Sequence, residues 1–127
     1  MKEIEEVYCS FEVAKLLKEK GFKEFTLKGY DITGKELDGI TPSISWNEDP
    51  LIKQGFPNFK TFAKSTHQMA CAWIRKKGYS VEVHVTPVGW HWEVCTVGGT
   101  LIASNGACDD YDKCMENALM YALNNLI

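Results

Sequence analysis

Hydrophobic residues recur every three to four positions in three parts of the chain, which predicts three helices. In the first part, Val13, Ala14 and Leu17 share one face. Ser10 precedes this stripe and can accept a free backbone N–H, whereas Gly21 follows it and can adopt the left-handed conformation that ends a helix. The pattern therefore predicts a helix between Ser10 and Gly21.

The other two helical patterns lie in the second half of the chain. One covers residues 65–77 (STHQMACAWIRKK), and Gly78 follows it as a stop. The other covers about residues 111–126 and is preceded by Asp109 and Asp110, either of which can cap its N-terminus. Both segments are therefore predicted to be amphipathic helices.

Alternation with period two replaces the helical pattern between these two helices. YSVEVHVTP and WHWEVCTV both alternate, and TLIAS follows a Gly98-Gly99 pair that suits a two-residue turn. The order from residue 65 onward is thus helix, strand, strand, strand, helix. We predict an α+β fold in which an antiparallel sheet of three or more strands carries helices on one face.

Residues 22–64 have the least regular pattern. EFTLKGYDI and PSISWN predict short strands, whereas NEDPLIKQGFPNFKTF contains two prolines and predicts a loop with one helical turn. This region is expected to extend the sheet or to cover its open face. We expect a single domain over residues 1–127, with an N-terminal helix and β/loop extension at 1–64 and an α-β-β-β-α core at 65–127.

The hydrophobic faces of the predicted strands restrict how they pair. The valines of the first strand and the tryptophans of the second must point to the same side of the sheet. A turn centred on Val88-Gly89 satisfies this condition, and Gly98-Gly99 sets the second hairpin. The predicted pairs are Val85–Trp92, Val83–Val94 and His84–Glu93 across the first hairpin, and Ala103–Val94, Leu101–Thr96 and Ser104–Glu93 across the second.

The polar face of this sheet brings candidate chemistry together. His84, Glu93 and Ser104 are the residue types of a Ser-His-acid triad, but Glu93 is predicted to lie between the other two. His84 and Ser104 would then be about 10 Å apart, which is too far for proton transfer. His84, His91 and Glu93 also form a two-histidine, one-carboxylate ligand set. In the predicted register His91 is diagonal to His84, so we expect a His84–Glu93 pair that binds no metal.

Composition and charge narrow the classes of function. The formal net charge is −3 and charged residues make up 24% of the chain, which gives no overall attraction to nucleic acid or anionic lipid. No apolar run approaches the roughly 18 residues of a membrane span, and the N-terminus lacks an apolar signal core. Five irregularly spaced cysteines without a C-x-x-C pair are expected to be buried apolar residues, and His67 a surface residue. A cytoplasmic protein without a cofactor is the natural interpretation.

Candidate partner-binding residues fall into two groups, aromatics of the irregular region and the basic end of the second helix. They are Trp46, Phe56 and Phe59 in the first group, and Arg75, Lys76 and Lys77 in the second. An exposed aromatic patch suits a protein partner. The basic group has a simpler explanation than phosphate binding, because positive charge at the C-terminus of a helix complements its dipole.

The helix-strand-strand-strand-helix order resembles that of double-stranded RNA-binding domains. The ending YDKCMENALMYALNNLI is similar to their C-terminal helix, with Ala118 and Ala122 close to the sheet. Those domains carry a lysine cluster at the start of this helix, whereas this chain has Asp109, Asp110 and Asp112 there. The resemblance therefore implies a shared fold and argues against RNA binding by that surface.

Three segments also resemble a family of small uncharacterised proteins encoded by gut bacteria and their phages or mobile elements. The segments are YCSFEVAKLLKEKGF, THQMACAWIRKKGY and the Y-x-x-C-x-E-x-A-L-x-Y-x-L-x-N-L-I ending. This resemblance implies a cytoplasmic accessory role and carries over no site residue.

Three functions therefore stand as hypotheses. The sequence has no glycine-rich phosphate loop and no metal-ligand spacing, so we expect a non-enzymatic accessory module that binds a protein partner. The alternative is a nucleic-acid-binding accessory protein that uses the basic residues 75–77. The third is a small metal-dependent or hydrolytic enzyme that uses His84, His91 and Glu93.

Overall fold

A computed structural model describes residues 6–39 and 44–127 of the chain. Its four helices and two antiparallel three-stranded sheets confirm the predicted α+β class for these residues. The chain divides into two compact units, of which the first is Tyr8–Thr66 and the second contains His67–Ile127 and the short segment that ends at Val7. The expected subdivision after residue 64 lies two residues before the observed boundary.

The first unit contains α1, three short strands, a 3-10 helix and α2. In chain order these are α1 (Phe11–Glu19), β1 (Lys28–Asp31), β2 (Glu36–Asp38), the 3-10 helix (Trp46–Glu48), α2 (Pro50–Lys53) and β3 (Thr61–Ala63). The strands form their own antiparallel sheet in the order β2-β1-β3. Of the two alternatives expected for this region, extension of the C-terminal sheet is therefore wrong. Within this region, β2 and β3 pair with β1 on its two sides.

Helix α1 forms as its pattern predicts. The Ser10 hydroxyl accepts a hydrogen bond from the backbone N–H of Val13 at 3.3 Å, and Gly21 has a φ of 97° just beyond the C-terminus. The buried face of α1 consists of Val13, Ala14 and Leu17. At its start, Phe11 packs edge-on against Phe62 of β3, with 5.3 Å between the ring centroids. Apolar burial and the two caps thus favour the same helix.

The strand predicted for PSISWN is wrong in its described part, and residues 42–43 lie outside the described residues. Trp46 begins the 3-10 helix and its Nε1 donates a hydrogen bond to the Thr26 carbonyl at 3.0 Å. The indole lies against Gly29 of β1. The side-chain amide of Asn47 forms hydrogen bonds with one backbone group earlier in the chain and with another later in the chain. Hydrogen bonds to backbone groups distant in the sequence therefore hold this segment in a turn.

The helical turn predicted within residues 47–62 is confirmed as α2. Strand β3 was not predicted, because a three-residue strand is too short to show alternation. At the two ends of the first unit, Tyr8 forms an isolated antiparallel bridge with Thr66, and the Cys9 N–H donates to the Ser65 carbonyl at 2.8 Å.

The second unit has the predicted order of helix, three strands and helix. Its elements are α3 (His67–Lys76), β4 (Tyr79–Thr86), β5 (Gly89–Thr96), β6 (Leu101–Cys108) and α4 (Tyr111–Asn125). The strands pair in the order β4-β5-β6. Gly78 has a φ of 102° after α3, and the Asp110 carboxylate accepts from the Asp112 N–H at 3.0 Å at the start of α4. Both helix boundaries therefore follow their predicted caps.

Helices α3 and α4 pack on the valine–tryptophan face of this sheet, as predicted. Val81 and Trp92 are each 6% exposed, and Val94 is fully buried. The Trp92 ring lies 5.4 Å from the ring of Tyr121 in α4. The core of the second unit therefore forms between the sheet and these helices.

The side chains on the valine–tryptophan face of β4 become more exposed toward the tip of the first hairpin. Val83 is only half-buried and Val85 is 72% exposed, although both lie on the valine–tryptophan face. An eight-residue strand spans about 26 Å, whereas ten residues of α3 span about 15 Å. The strands therefore extend beyond α3.

The register of the first hairpin differs from the predicted one by two residues. The observed pairs are Glu82–Glu93, Val83–Trp92, His84–His91 and Val85–Trp90. Gly89 belongs to β5 and pairs with Thr86, so the turn consists of Pro87 and Val88. A Cβ on Gly89 would lie 2.8 Å from the Cys108 carbonyl oxygen. Gly89 therefore allows a close approach of β6 instead of forming the turn.

The second hairpin is predicted correctly at its centre. Val94 pairs with Ala103 and Glu93 with Ser104. An irregularity between Val94 and Cys95 then places Leu101 opposite Cys95, and the predicted Leu101–Thr96 pair is wrong. A β-bulge of this kind adds a residue to one strand, which the alternation alone does not reveal.

Candidate functional sites

The observed register builds a cluster on the polar face of the β4–β5 hairpin. We call Glu82, His84, His91 and Glu93 the histidine–glutamate cluster. Nε2 of His84 lies 3.3 Å from Oε2 of Glu82 and 3.6 Å from Oε2 of Glu93. Nε2 of His91 lies 3.0 Å from Oε1 of Glu93. The predicted contact between His84 and Glu93 thus exists, but as a diagonal contact, because each residue faces a side chain of its own type.

The cluster is a region of negative charge that solvent can reach. The side chains of Glu82 and His84 are 51% and 49% exposed, and those of Glu93 and His91 are 30% and 28% exposed. Burial, followed by the charges of Glu93 and Glu82, raises the pKa of the nearby Cys95 thiol. A thiolate is therefore disfavoured beside these carboxylates.

The triad geometry matches the expectation that argues against nucleophilic catalysis. Ser104 on β6 pairs directly with Glu93 on the central strand, and His84 lies on the far strand β4. Glu93 therefore separates the hydroxyl from the imidazole, whereas a nucleophilic triad needs the histidine in the middle.

Strand β6 forms an edge of the C-terminal sheet. In the described part of the chain it pairs with β5 alone, so one side of its backbone has no strand partner. Its sequence, LIASNGAC, contains no charged residue and no proline. Leu101 is 55% exposed and Ile102 is 37% exposed, and Ser104 and Asn105 are also exposed. We call residues 101–106 the β6 edge.

The two groups of candidate partner-binding residues have different surroundings. Phe56 and Phe59 are 56% and 40% exposed. Trp46 is only 6% exposed, so the prediction that it belongs to an exposed aromatic patch is wrong: its indole fills the space above Gly29.

The basic residues at the end of α3 are exposed. They are Arg75, Lys76 and Lys77. The ammonium of Lys77 lies 4.9 Å from the ring centroid of Trp73, a cation–π distance. Their position at the helix C-terminus agrees with dipole complementarity.

His67 is buried, contrary to the expectation that it lies on the surface. It is 7% exposed, and its Nε2 lies 3.0 Å from Oε2 of Glu116 in α4. Its backbone N–H donates to the Val7 carbonyl at 2.9 Å. A histidine at the first position of a helix gives no pattern signal for this, since its partner lies far along the chain.

All five cysteines are free thiols. Cys9, Cys71 and Cys114 are buried as expected, whereas Cys95 and Cys108 are half-buried. Burial, and then the neighbouring Cys108 thiol, raise the pKa of Cys114 to about 12. The Cys114 thiol is therefore held in the protonated, unreactive form.

A shallow cavity in the first unit is lined by charged residues. Its lining consists of Lys15, Lys18, Glu19, Asp49, Lys60 and Phe62. The ammonium of Lys18 lies 2.6 Å from Oδ1 of Asp49 and also donates to the Thr61 carbonyl. Lys15 pairs with Glu12 at 3.2 Å. Because these two lysines already have acceptors, the cavity is not an evident anion site.

Comparison with known proteins identifies no family for this chain. No protein-family model, no curated protein and no solved structure matches it. Among the described residues, no helix has both the length and the apolar character needed to cross a membrane.

Proposed function

We propose that this protein is a non-enzymatic accessory module of the cytoplasm that binds a protein partner, and that the partner adds an extended segment to the β6 edge. The observation that carries the proposal is an eight-residue edge strand without a charged residue or a proline. Natural sheets protect such edges with lysine, proline or short strands, because an exposed edge is a template for pairing. An edge strand without a charged residue or a proline suits β-strand addition.

The regular part of the β6 edge offers backbone groups in strand geometry. Ala103, Ser104 and Asn105 pair without interruption with β5, and the irregularities lie on either side of them. The outer N–H and C=O groups of such a strand can bond an added chain, and the alternate side chains then select its sequence. Ser104 lies on the polar face and pairs with Glu93, whereas the exposed Ile102 lies in the irregularity next to Ala103.

Charge indicates the chemistry of the partner segment. Asp109 and Asp110 are exposed immediately after β6, and Glu93 lies next to Ser104 across the sheet. An added strand with lysine or arginine complements these carboxylates, which favours association and fixes orientation. A second copy of this chain would bring β6 itself, which carries no positive charge. We therefore assign the edge to a basic segment of a different protein.

A phage-displayed library of short random peptides tests this assignment. Selected peptides should be rich in β-branched and basic residues, and fluorescence anisotropy should show binding at least about 10-fold weaker to Ile102→Lys, since a lysine on an edge strand opposes strand addition. Val97→Lys is the matched control, because Val97 is 65% exposed in the turn before β6. It should bind like the wild type.

The peptide itself supplies a second test. N-methylation at successive positions should abolish binding at every other position, because alternate N–H groups of an added strand point to the sheet. Equal binding by Ile102→Lys, or an N-methylation effect without alternation, would refute strand addition. A dimer in sedimentation equilibrium that Ile102→Lys dissociates would assign the edge to a second copy instead.

Nucleic-acid binding is the second candidate, since Arg75, Lys76 and Lys77 are exposed together. Against it stand the net charge of −3 and the exposed Asp109 and Asp110 in the same unit. An electrostatic complex weakens steeply with salt, so the salt dependence of binding separates the two candidates.

A further inference from the structure

The histidine–glutamate cluster brings metal-ligating atoms together. One ligand atom from each of Glu82, His84 and Glu93 lies within 4.8 Å of the others. The imidazole nitrogen of His84 is 3.3 Å from one carboxylate and 3.6 Å from the other. Ligand atoms at about 2.0–2.1 Å from a tetrahedral zinc ion are about 3.3 Å apart. The contacts of His84 with both carboxylates therefore already have close to this spacing.

The charges of the cluster favour a cation. Glu82 and Glu93 occupy directly opposite positions on adjacent strands, where like charges destabilise a sheet. Their ion-pair partners among the described residues are His84 and His91, which are charged only when protonated. A divalent cation would neutralise both carboxylates while the imidazoles are neutral.

We propose that Glu82, His84 and Glu93 bind one divalent transition-metal ion of the zinc class on the polar face of the β4–β5 hairpin. The objection to such a site was that His84 and His91 lie on a diagonal and that a sheet converges poorly. With His84 directly opposite His91, the side chains converge. The two paired strands hold the three ligands in a fixed relative position, and three protein ligands leave a fourth position for water or a partner's side chain.

The ligand types select the cation. An imidazole nitrogen with two carboxylate oxygens suits zinc, and by the general order of affinities manganese should bind more weakly. Magnesium prefers oxygen ligands and keeps its water shell, so it should bind least.

His91 is a positioning residue in this site. Its Nε2 lies 3.0 Å from Oε1 of Glu93, so a proton on that nitrogen donates to the oxygen that does not face His84. Groups that orient a ligating carboxylate in this way typically change metal affinity about 10- to 100-fold. His91→Ala should weaken zinc binding by such a factor without abolishing it.

The test is calorimetric titration of chelator-treated, reduced protein with Zn²⁺, followed by thermal unfolding. We expect one equivalent of zinc to bind and saturating zinc to raise Tm by about 4 °C or more. Mg²⁺ should leave Tm unchanged. Both effects of zinc should disappear in His84→Ala and in Glu82→Gln, whose exposed side chains can change without loss of the fold.

Two further variants separate this site from other ways of binding zinc. Glu12→Gln removes a carboxylate that is 66% exposed in the first unit, and it should bind zinc like the wild type. Cys95→Ser removes a thiol whose pKa is raised by burial and then by the charges of Glu93 and Glu82, and it should also retain binding. The proposal is overturned if zinc does not bind, if binding survives in His84→Ala, or if Cys95→Ser abolishes it.

Discussion

Gly29 occupies a position where a side chain has no room. A Cβ there would lie 2.6 Å from Cδ2 of Trp46, and the indole is held in place by its hydrogen bond to the Thr26 carbonyl. This contact explains why Trp46 is buried instead of exposed. A signal for it was present in the sequence, because a glycine within a strand pattern indicates close approach of another group.

Gly29→Ala should destabilise the protein by about 1–3 kcal/mol, since a buried and hydrogen-bonded ring must move to accommodate the methyl group. Gly98→Ala is the control, because its Cβ would meet only Thr96 Oγ1 at 3.7 Å. Urea unfolding of both variants measures the difference. Equal stability of the two variants would show that Trp46 is free to shift.

Glu36 forms an ion network on the sheet of the first unit. Its carboxylate bonds the ammonium of Lys28 at 2.8 Å and also that of Lys64. Lys64 also lies near the rings of Tyr8 and Tyr30, at 5.0 and 5.3 Å from their centroids. The hydrogen bond from Lys28, followed by that from Lys64, lowers the pKa of Glu36 from 4.5 to about 2.

A lowered pKa makes the stabilising effect of Glu36 depend on pH. The folded state holds the ionised form more strongly than the unfolded state, so this contribution is complete above about pH 4.5 and is lost as the pH falls toward 2. Glu36→Gln should therefore unfold at lower urea than the wild type at pH 7. The two urea midpoints should converge near pH 2. A constant difference between the midpoints over this range would contradict the network.

At the scale of elements, the parity of strand pairing was predictable and the turn was not. Alternation requires Val83 and Trp92 to face the helices, and both registers satisfy this condition. The choice between them depends on Gly89, which lies in β5 because β6 approaches it there. That contact joins residues distant in the sequence, so the pattern around the turn could not reveal it.

The extension of the strands beyond α3 predicts a gradient of stability along the first hairpin. Val94→Ala should cost about 2 kcal/mol because Val94 is fully buried. Val85→Ala, the same substitution at the exposed end of the hairpin, should change stability by less than about 0.5 kcal/mol. Equal losses in denaturant unfolding would mean that the hairpin tip is covered in solution.

At the scale of the whole molecule, the net charge and the position of the carboxylates argue against nucleic acid as a partner. The net charge is −3, and three carboxylates, Asp109, Asp110 and Asp112, lie at the start of α4. We expect no shift of double-stranded RNA in gel assays even at about 50 mM salt, where electrostatic binding is strongest. Micromolar binding that weakens with salt would favour the nucleic-acid alternative over a protein partner.

The sequence predicted the second unit better than the first, and it predicted the ingredients of the candidate site better than their arrangement. Long amphipathic segments with caps specify α1, α3 and α4, because each carries a periodic signal. The three-residue strands of the first unit carry none. His84, His91 and Glu93 were identified on one face, but a shift of two residues in the register changed their cross-strand partners.

The bridge between Tyr8 and Thr66 gives the first unit the character of an insertion. Its two ends meet in that bridge, and on the other side of the boundary the Val7 carbonyl bonds the His67 N–H at 2.9 Å. Chain ends that lie close together permit excision and circular permutation. A short glycine linker could therefore join Val7 to His67 without the intervening chain, and the excised segment could be closed into a ring. Loss or exchange of this segment in the gene would then leave the geometry at the junction between Val7 and His67 unchanged.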